Sequence, residues 1–138
     1  MPATLIDANI LLDVLEDRKE WAPWAVRQIM RLSDEGDLVI NQIIYSEVSV
    51  PYDSMELFDD ILNPRWVRRE ELPWQAAFKA GKVHQIYRAK GGQKLSVLPD
   101  FMIGAHAEFN AYRVLTRDPK RFRTYFPEVE VIAPDTHP

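Results

Sequence analysis

Four acidic side chains stand out because of where they sit among apolar residues. Asp7 interrupts "TLIDANILLD" just as a buried-looking run begins, and Glu47 sits inside "IIYSEVSV". Asp100 opens "PDFMIGAHA", and Asp118 follows "VLTR". An unpaired carboxylate among core-forming residues is costly, so each must find a partner. Four of them gathered in one pocket would repel and would either hold protons or bind a cation. Each also has a simpler reading: Asp7 and Asp100 as helix caps, Asp118 as a turn opener before Pro119.

The elements that would position them follow from the alternation of short apolar runs and longer amphipathic ones. "TLID", "DLVIN", "RWVRR", "RVLTRD" and "VEVIAP" read as strands. Between them, helices are expected in "ANILLDVLE", across 21–36 with Gly36 as its stop, and in "QIIYSEVSV" up to Pro51. A further helix has Asp53 and Glu56 at capping-box spacing, and Glu56 lies close enough in sequence to compete with Glu47 as the acid of this region. A long helix runs from Pro73 to Gly91-Gly92, and another starts at Asp100 as its N-cap. Gly104, Ala105, Ala107 and Ala111 suit close packing against a sheet. Strand–helix alternation predicts an α/β fold with a mostly parallel sheet covered on both faces. In such sheets ligands bind beyond the carboxyl ends of the strands, where strand order reverses, and Asp7 and Asp118 fall at that edge.

Length and composition narrow the class. The 138 residues suit one domain, residues 1–138, with 46% apolar and 28% charged residues. With no cysteine there are neither disulfides nor thiolate metal sites. The start lacks a basic leader segment, and no run approaches a membrane span, so no membrane association and a cytoplasmic location are expected. The net charge of −4 conceals an asymmetry: residues 1–60 carry 4 basic against 13 acidic side chains, residues 61–125 carry 13 against 5. A basic face beside an acidic one suits an anionic polymer, although solvated helix faces give the same count.

The ordered set "LIDANILLD", "YSE", "LPDFMIGAHA" and "VLTRDPKRF" resembles the PIN domain, most closely the compact VapC-type toxin ribonucleases of toxin–antitoxin pairs. That resemblance implies a three-layer α/β/α domain and a metal-dependent endoribonuclease. Asp7, Glu47, Asp100 and Asp118 match its acidic metal-site positions, and Asn9 and Thr116 the polar ones beside them. Oxygen ligands suit Mg2+ or Mn2+; Asp7 and Asp100 are expected to ligate directly, Asp118 and Glu47 through water or a second ion. RNA is the implied substrate, with Arg88, Lys90, Lys94, Arg117, Lys120 and Arg121 as phosphate contacts. A small antitoxin is the implied protein partner, seated in a groove lined by Trp21, Trp24 or Trp66, and a homodimer is a further expectation. The segment between Val48 and Trp74 departs from the usual pattern.

Other classes fit less well. Dehalogenase-type phosphatases need a second Asp where Asn9 stands, and receiver domains need an acidic pair that residues 1–6 lack. A non-catalytic RNA-binding or scaffold module, and an RNA-maturation nuclease that is not a toxin, are the remaining alternatives. His84 and His106, alone on their helices, read as structural.

Overall fold

The computed structural model describes residues 2–138. Among these residues, five strands form one sheet in the order β3-β2-β1-β4-β5, and every pairing is parallel. The strands are β1 (Thr4–Ile6), β2 (Leu38–Ile40), β3 (Arg68–Arg69), β4 (Arg113–Leu115) and β5 (Val131–Ile132). The helices are α1 (Ala8–Leu15), α2 (Ala22–Glu35), α3 (Gln42–Ser49), α4 (Met55–Ile61), α5 (Trp74–Ala89), α6 (Leu98–Asn110) and α7 (Lys120–Tyr125). All five strands anticipated from the sequence are present, and the sheet is parallel throughout rather than mostly so.

The chain leaves β1 towards β2 and β3, then returns across the sheet to β4 and β5. Parallel crossovers are right-handed, so this reversal puts α1 to α4 on one face and α5 to α7 on the other. Both faces of the central strands are therefore covered. Leu5, Ile6, Val39, Ile40, Val114 and Leu115 are buried to 1% exposure or less. A fully buried side chain of this size contributes about 1.5–3 kcal/mol.

Two caps differ from expectation. Ser54, not Asp53, starts α4: it is extended (φ −146°, ψ 153°) and its Oγ accepts from the Leu57 N–H at 3.1 Å. Asp100 is not an N-cap but lies in the first turn of α6, which begins at Leu98. A 3-10 turn at Leu95–Val97 runs straight into α6, leaving Val97 helical (φ −86°, ψ −19°), so Asp100 is already inside the helix and lacks the extended backbone of an N-cap. Gly104 and Ala107 are buried as expected, but Ala111 is an exposed, left-handed C-cap (φ 55°). No helix among the described residues is long and apolar enough to cross a membrane.

Candidate active site

β1 and β4 are neighbours in the sheet although α1 to α6 separate them in sequence, and the strand order reverses between them. Side chains just beyond their carboxyl ends therefore meet in the crevice that such sheets offer to ligands. Asp7 follows β1, and its backbone N–H donates to the Leu115 carbonyl at 3.0 Å, extending the ladder by one bond. Its side chain does two jobs at once. Oδ1 accepts from the Ala8 N–H at 2.8 Å and caps α1, while Oδ2 accepts from the Thr116 hydroxyl at 2.7 Å.

The polar residues around Asp7 lock it in place. Asn9 Nδ2 donates to Asp7 Oδ2 at 3.3 Å and reaches Asp118 Oδ2 at 3.4 Å, and Asn9 Oδ1 accepts from the Arg117 N–H at 3.3 Å. Thr116 Oγ1 accepts from the Asp118 N–H at 3.0 Å. The 116–118 turn is thereby tied to the first turn of α1, across more than a hundred residues of sequence.

Glu47 from α3 and Asp100 from α6 complete the wall. A cavity of about 220 Å3 is lined by Asp7, Asn9, Glu47, Asp100, Asp118 and Arg18, so the structure brings all four predicted acids to one place. Glu56 lies in the first turn of α4 and does not line it, which removes the competitor for Glu47. The Asp7 carboxyl is pushed up to about 7, chiefly by burial, with the charges of Asp100 and Glu47 adding to it and the Thr116 hydrogen bond opposing. Burial and Asp100 also raise Glu47. Asp100 is raised by burial and by Asp118, against the pull of Arg121, whose Nη1 lies 2.9 Å from Oδ2. Negative charge here exceeds what the protein compensates.

The donors fit an oxygen-preferring divalent ion, since the wall offers four carboxylates and the Asn9 amide and the chain has no thiol. As placed, no three Asp, Glu or His side chains among the described residues stand close enough to share one ion. Arg121 holds Oδ2 of Asp100, and Glu47 and Asp118 line the cavity from its exposed rim.

Several expected contacts take other forms. Arg117 does not face a substrate: its Nε donates to Oδ2 of the fully buried Asp13 at 2.6 Å, and its guanidinium covers the Trp21 ring. The buried Asp13 attracts it more strongly than solvent can. Lys94, Lys120 and Arg121 line a second cleft with Tyr87 and Tyr125, which shares Asp118 with the acidic cavity. Arg88 and Lys90 are exposed at the end of α5, outside that cleft. Trp21, Trp24 and Trp66 form no common groove. Trp24 is buried with Nε1 donating to the His137 carbonyl at 2.6 Å, and Trp66 lines a separate cleft with Arg65 and Arg68. His106 is buried, with Nδ1 3.0 Å from Asn41 Nδ2.

Arg18, Tyr87 and Tyr125 were missed in the sequence. The tyrosines carried a signal, since aromatic residues interleaved with Arg88, Lys94 and Arg121 mark single-strand binding surfaces.

A parallel sheet with acidic residues converging beyond β1 and β4 is the arrangement of a PIN domain. The PIN domain family model matches residues 4–127, and the chain belongs to that family. Solved structures with this fold include VapBC2 from Rickettsia felis, bound to a fragment of promoter DNA (15% identity, TM-score 0.73, 95% of this chain and 98% of that one). FitAcB from Neisseria gonorrhoeae is similar at 18% identity and TM-score 0.71, covering 95% and 97% of the two chains. A toxin–antitoxin complex from Klebsiella pneumoniae is similar at 23% identity and TM-score 0.64, covering 95% and 97%. Among curated proteins no sequence match is found.

Proposed function

We propose that this chain is a divalent-metal-dependent endoribonuclease, the toxin of a toxin–antitoxin pair. The observation that carries the reading is the single cavity lined by Asp7, Glu47, Asp100 and Asp118, three of which hold protons more tightly than ordinary carboxyls. Mg2+ or Mn2+ bound there would supply an activated water and neutralise charge on the phosphodiester.

The chain's own residues do the rest. Thr116, Asn9 and the Ala8 N–H fix both oxygens of Asp7, so its carboxylate needs no reorientation when it ligates. Asp100 would help hold the ion, and Arg121 beside it would pair with a substrate phosphate. Glu47, on the cavity rim, would accept a proton from the attacking water. Arg18 lines the same cavity, its guanidinium shared between Glu16 and Asp13. The toxin assignment rests on family membership and on the fold shared with solved toxin–antitoxin complexes. An antitoxin silences the site by setting a basic side chain over the four acids.

The test is cleavage of mixed tRNA and rRNA with Mg2+, with Mn2+ and with chelator, comparing wild type and Asp100→Asn. Metal-dependent cutting that the variant loses supports the nuclease. Cutting in chelator, or full activity of Asp100→Asn, refutes it, and protein that binds no metal returns the chain to a non-catalytic role.

A further inference from the structure

Asn41 follows β2 as Asp7 follows β1, so it stands at the same edge of the sheet, and it is buried. Its backbone is extended (φ −117°, ψ −175°), and Oδ1 accepts from the Ile44 N–H at 3.1 Å, which caps α3. A backbone N–H can only donate, so this bond decides which end of the amide is the oxygen. Nδ2 is therefore the group 3.0 Å from Nδ1 of His106 on α6, a residue with no exposed surface. Since Nδ2 donates, Nδ1 must accept, and the imidazole is neutral with its proton on Nε2. Two enclosed side chains thus make one directed bond.

That bond joins the two helices that carry Glu47 and Asp100. Glu47 stands six residues beyond Asn41 along α3, and Asp100 six residues before His106 along α6. Each arm is about 9 Å long at a rise of ~1.5 Å per residue, and both acids end on the wall of one cavity. Among the described residues, no other side-chain hydrogen bond links α3 or its cap to α6. On its other side the start of α3 is not wedged in place, because a cavity of about 490 Å3 is bordered by Asn41, Gln42 and Tyr45. Close packing would hold the helix there; open space does not. We propose that Asn41 and His106 are positioning residues whose hydrogen bond sets the separation of Glu47 and Asp100, and with it the affinity of the acidic cavity for a divalent ion. This rests on the metal-dependent nuclease reading above and deepens it by naming what spaces two of its acids.

The test reads the bond, the metal and the fold separately. Long-range 1H–15N correlation spectra of the full chain show the His106 proton on Nε2 and none on Nδ1. Asn41→Ser keeps a good N-cap but is too short to reach His106, and His106→Leu removes the acceptor. Each weakens Mn2+ binding about tenfold in calorimetric titration, the usual scale for a group that holds a ligand in place. His106→Gln supplies a carbonyl oxygen where Nδ1 stood and binds Mn2+ like wild type. The double variant Asn41→Ser with His106→Leu leaves no orphaned donor, so it regains stability in urea unfolding yet still binds Mn2+ weakly. Crystal structures of that variant and of wild type, both without metal, show Glu47 and Asp100 moved apart by more than about 0.5 Å, the tolerance of a preorganised site.

A proton on Nδ1, wild-type affinity in folded Asn41→Ser, binding by His106→Gln as weak as by His106→Leu, or unmoved acids in the double variant overturns the proposal. The nuclease reading fails separately. Wild type that binds no Mn2+, with the acids displaced in the double variant, removes the metal site and leaves Asn41 and His106 as the spacers of Glu47 and Asp100. Mn2+ binding that none of these substitutions weakens keeps the metal site and removes the spacers.

Discussion

Arg117 Nε lies 2.6 Å from Oδ2 of Asp13, and Nη2 lies 3.2 Å from Oδ1, so a fully buried carboxylate on α1 is gripped by the arginine between Thr116 and Asp118. Arg18 reaches the same carboxylate at 3.4 Å. The 116–118 turn is thus fixed from below by an ion pair and from above by the Asn9 and Thr116 hydrogen bonds.

Breaking that pair should affect more than stability. Asp13→Ala removes one partner of a buried pair and is expected to destabilise by about 3–5 kcal/mol, measured by urea unfolding. Replacing both partners with apolar residues, Asp13→Leu with Arg117→Met, should restore most of the stability. Calorimetric titration with Mn2+ separates the two roles: affinity stays weak in the stable double variant if the pair aims Thr116 and Asp118. Recovery of affinity along with stability would reduce the pair to a structural one.

Asp7 is expected to be held at a stability penalty when no metal is bound. Its carboxyl is pushed up to about 7 from an ordinary 3.8, principally by burial. The folded form therefore takes up a proton more readily than the unfolded chain. The stability tied to that proton is fully present below pH 3.8 and is lost as pH rises through about 7. At pH 8 in chelator, Asp7→Asn should be more stable than wild type by on the order of 2–4 kcal/mol. Mg2+ or Mn2+ is expected to raise the Tm of wild type and not that of the variant. Thermal melts at pH 8, with and without metal, would show both effects or neither.

The Gly104–Phe126 contact predicts a sensitive position one turn along α6 from Asp100. A Cβ on Gly104 would lie 2.4 Å from Cδ2 and Cε2 of the fully buried Phe126 ring. Gly104→Ala should cost about 1–3 kcal/mol through overpacking, despite the better helix propensity of alanine. Adding Phe126→Leu should recover part of the loss. A double-mutant cycle that gives simple additivity would show that the two residues do not press on each other.

His106 predicts a stability change near neutral pH with the opposite sign to that of Asp7. Burial lowers its affinity for a proton, against a smaller pull from Glu70. The unfolded imidazole protonates first as pH falls, so stability is full above about pH 6.5 and declines below it. His106→Gln keeps an acceptor for Asn41 but does not titrate. Between pH 7.5 and 5.5 the variant should lose about 1 kcal/mol less than wild type in urea unfolding. Parallel losses would place the proton elsewhere.

Much of this arrangement was legible in the sequence because strands and acids share a local signature. "TLID" and "VLTRD" each show an apolar run ending in a carboxylate or its neighbour, and parallel topology carries both ends to one edge. Asp100 lines one cavity with the other three acids but stands at a different turn position from the one expected, since a 3-10 turn before Leu98 leaves no trace in "KLSVLPD". Arg117 was misread for a different reason. Its partner Asp13 sits 104 residues away in an ordinary-looking helix, and nothing local shows that this carboxylate is fully buried. Trp24 was equally opaque, because the carbonyl of His137 that receives its N–H is a backbone group that any residue supplies.

The pairing of β1 with β4 has a kinetic consequence. Thr116 and Asp7 are 109 residues apart in the chain and adjacent in the fold, and β1 sits in the middle of the sheet with its second neighbour arriving only after six helices. Contacts spanning so much sequence close late, because loop entropy must be overcome before they form. A chain with β1 to β3 and α1 to α5 in place would have a folded half-sheet, yet only two of the four acids, Asp7 and Glu47. All four acids share one cavity only once β4 has docked beside β1.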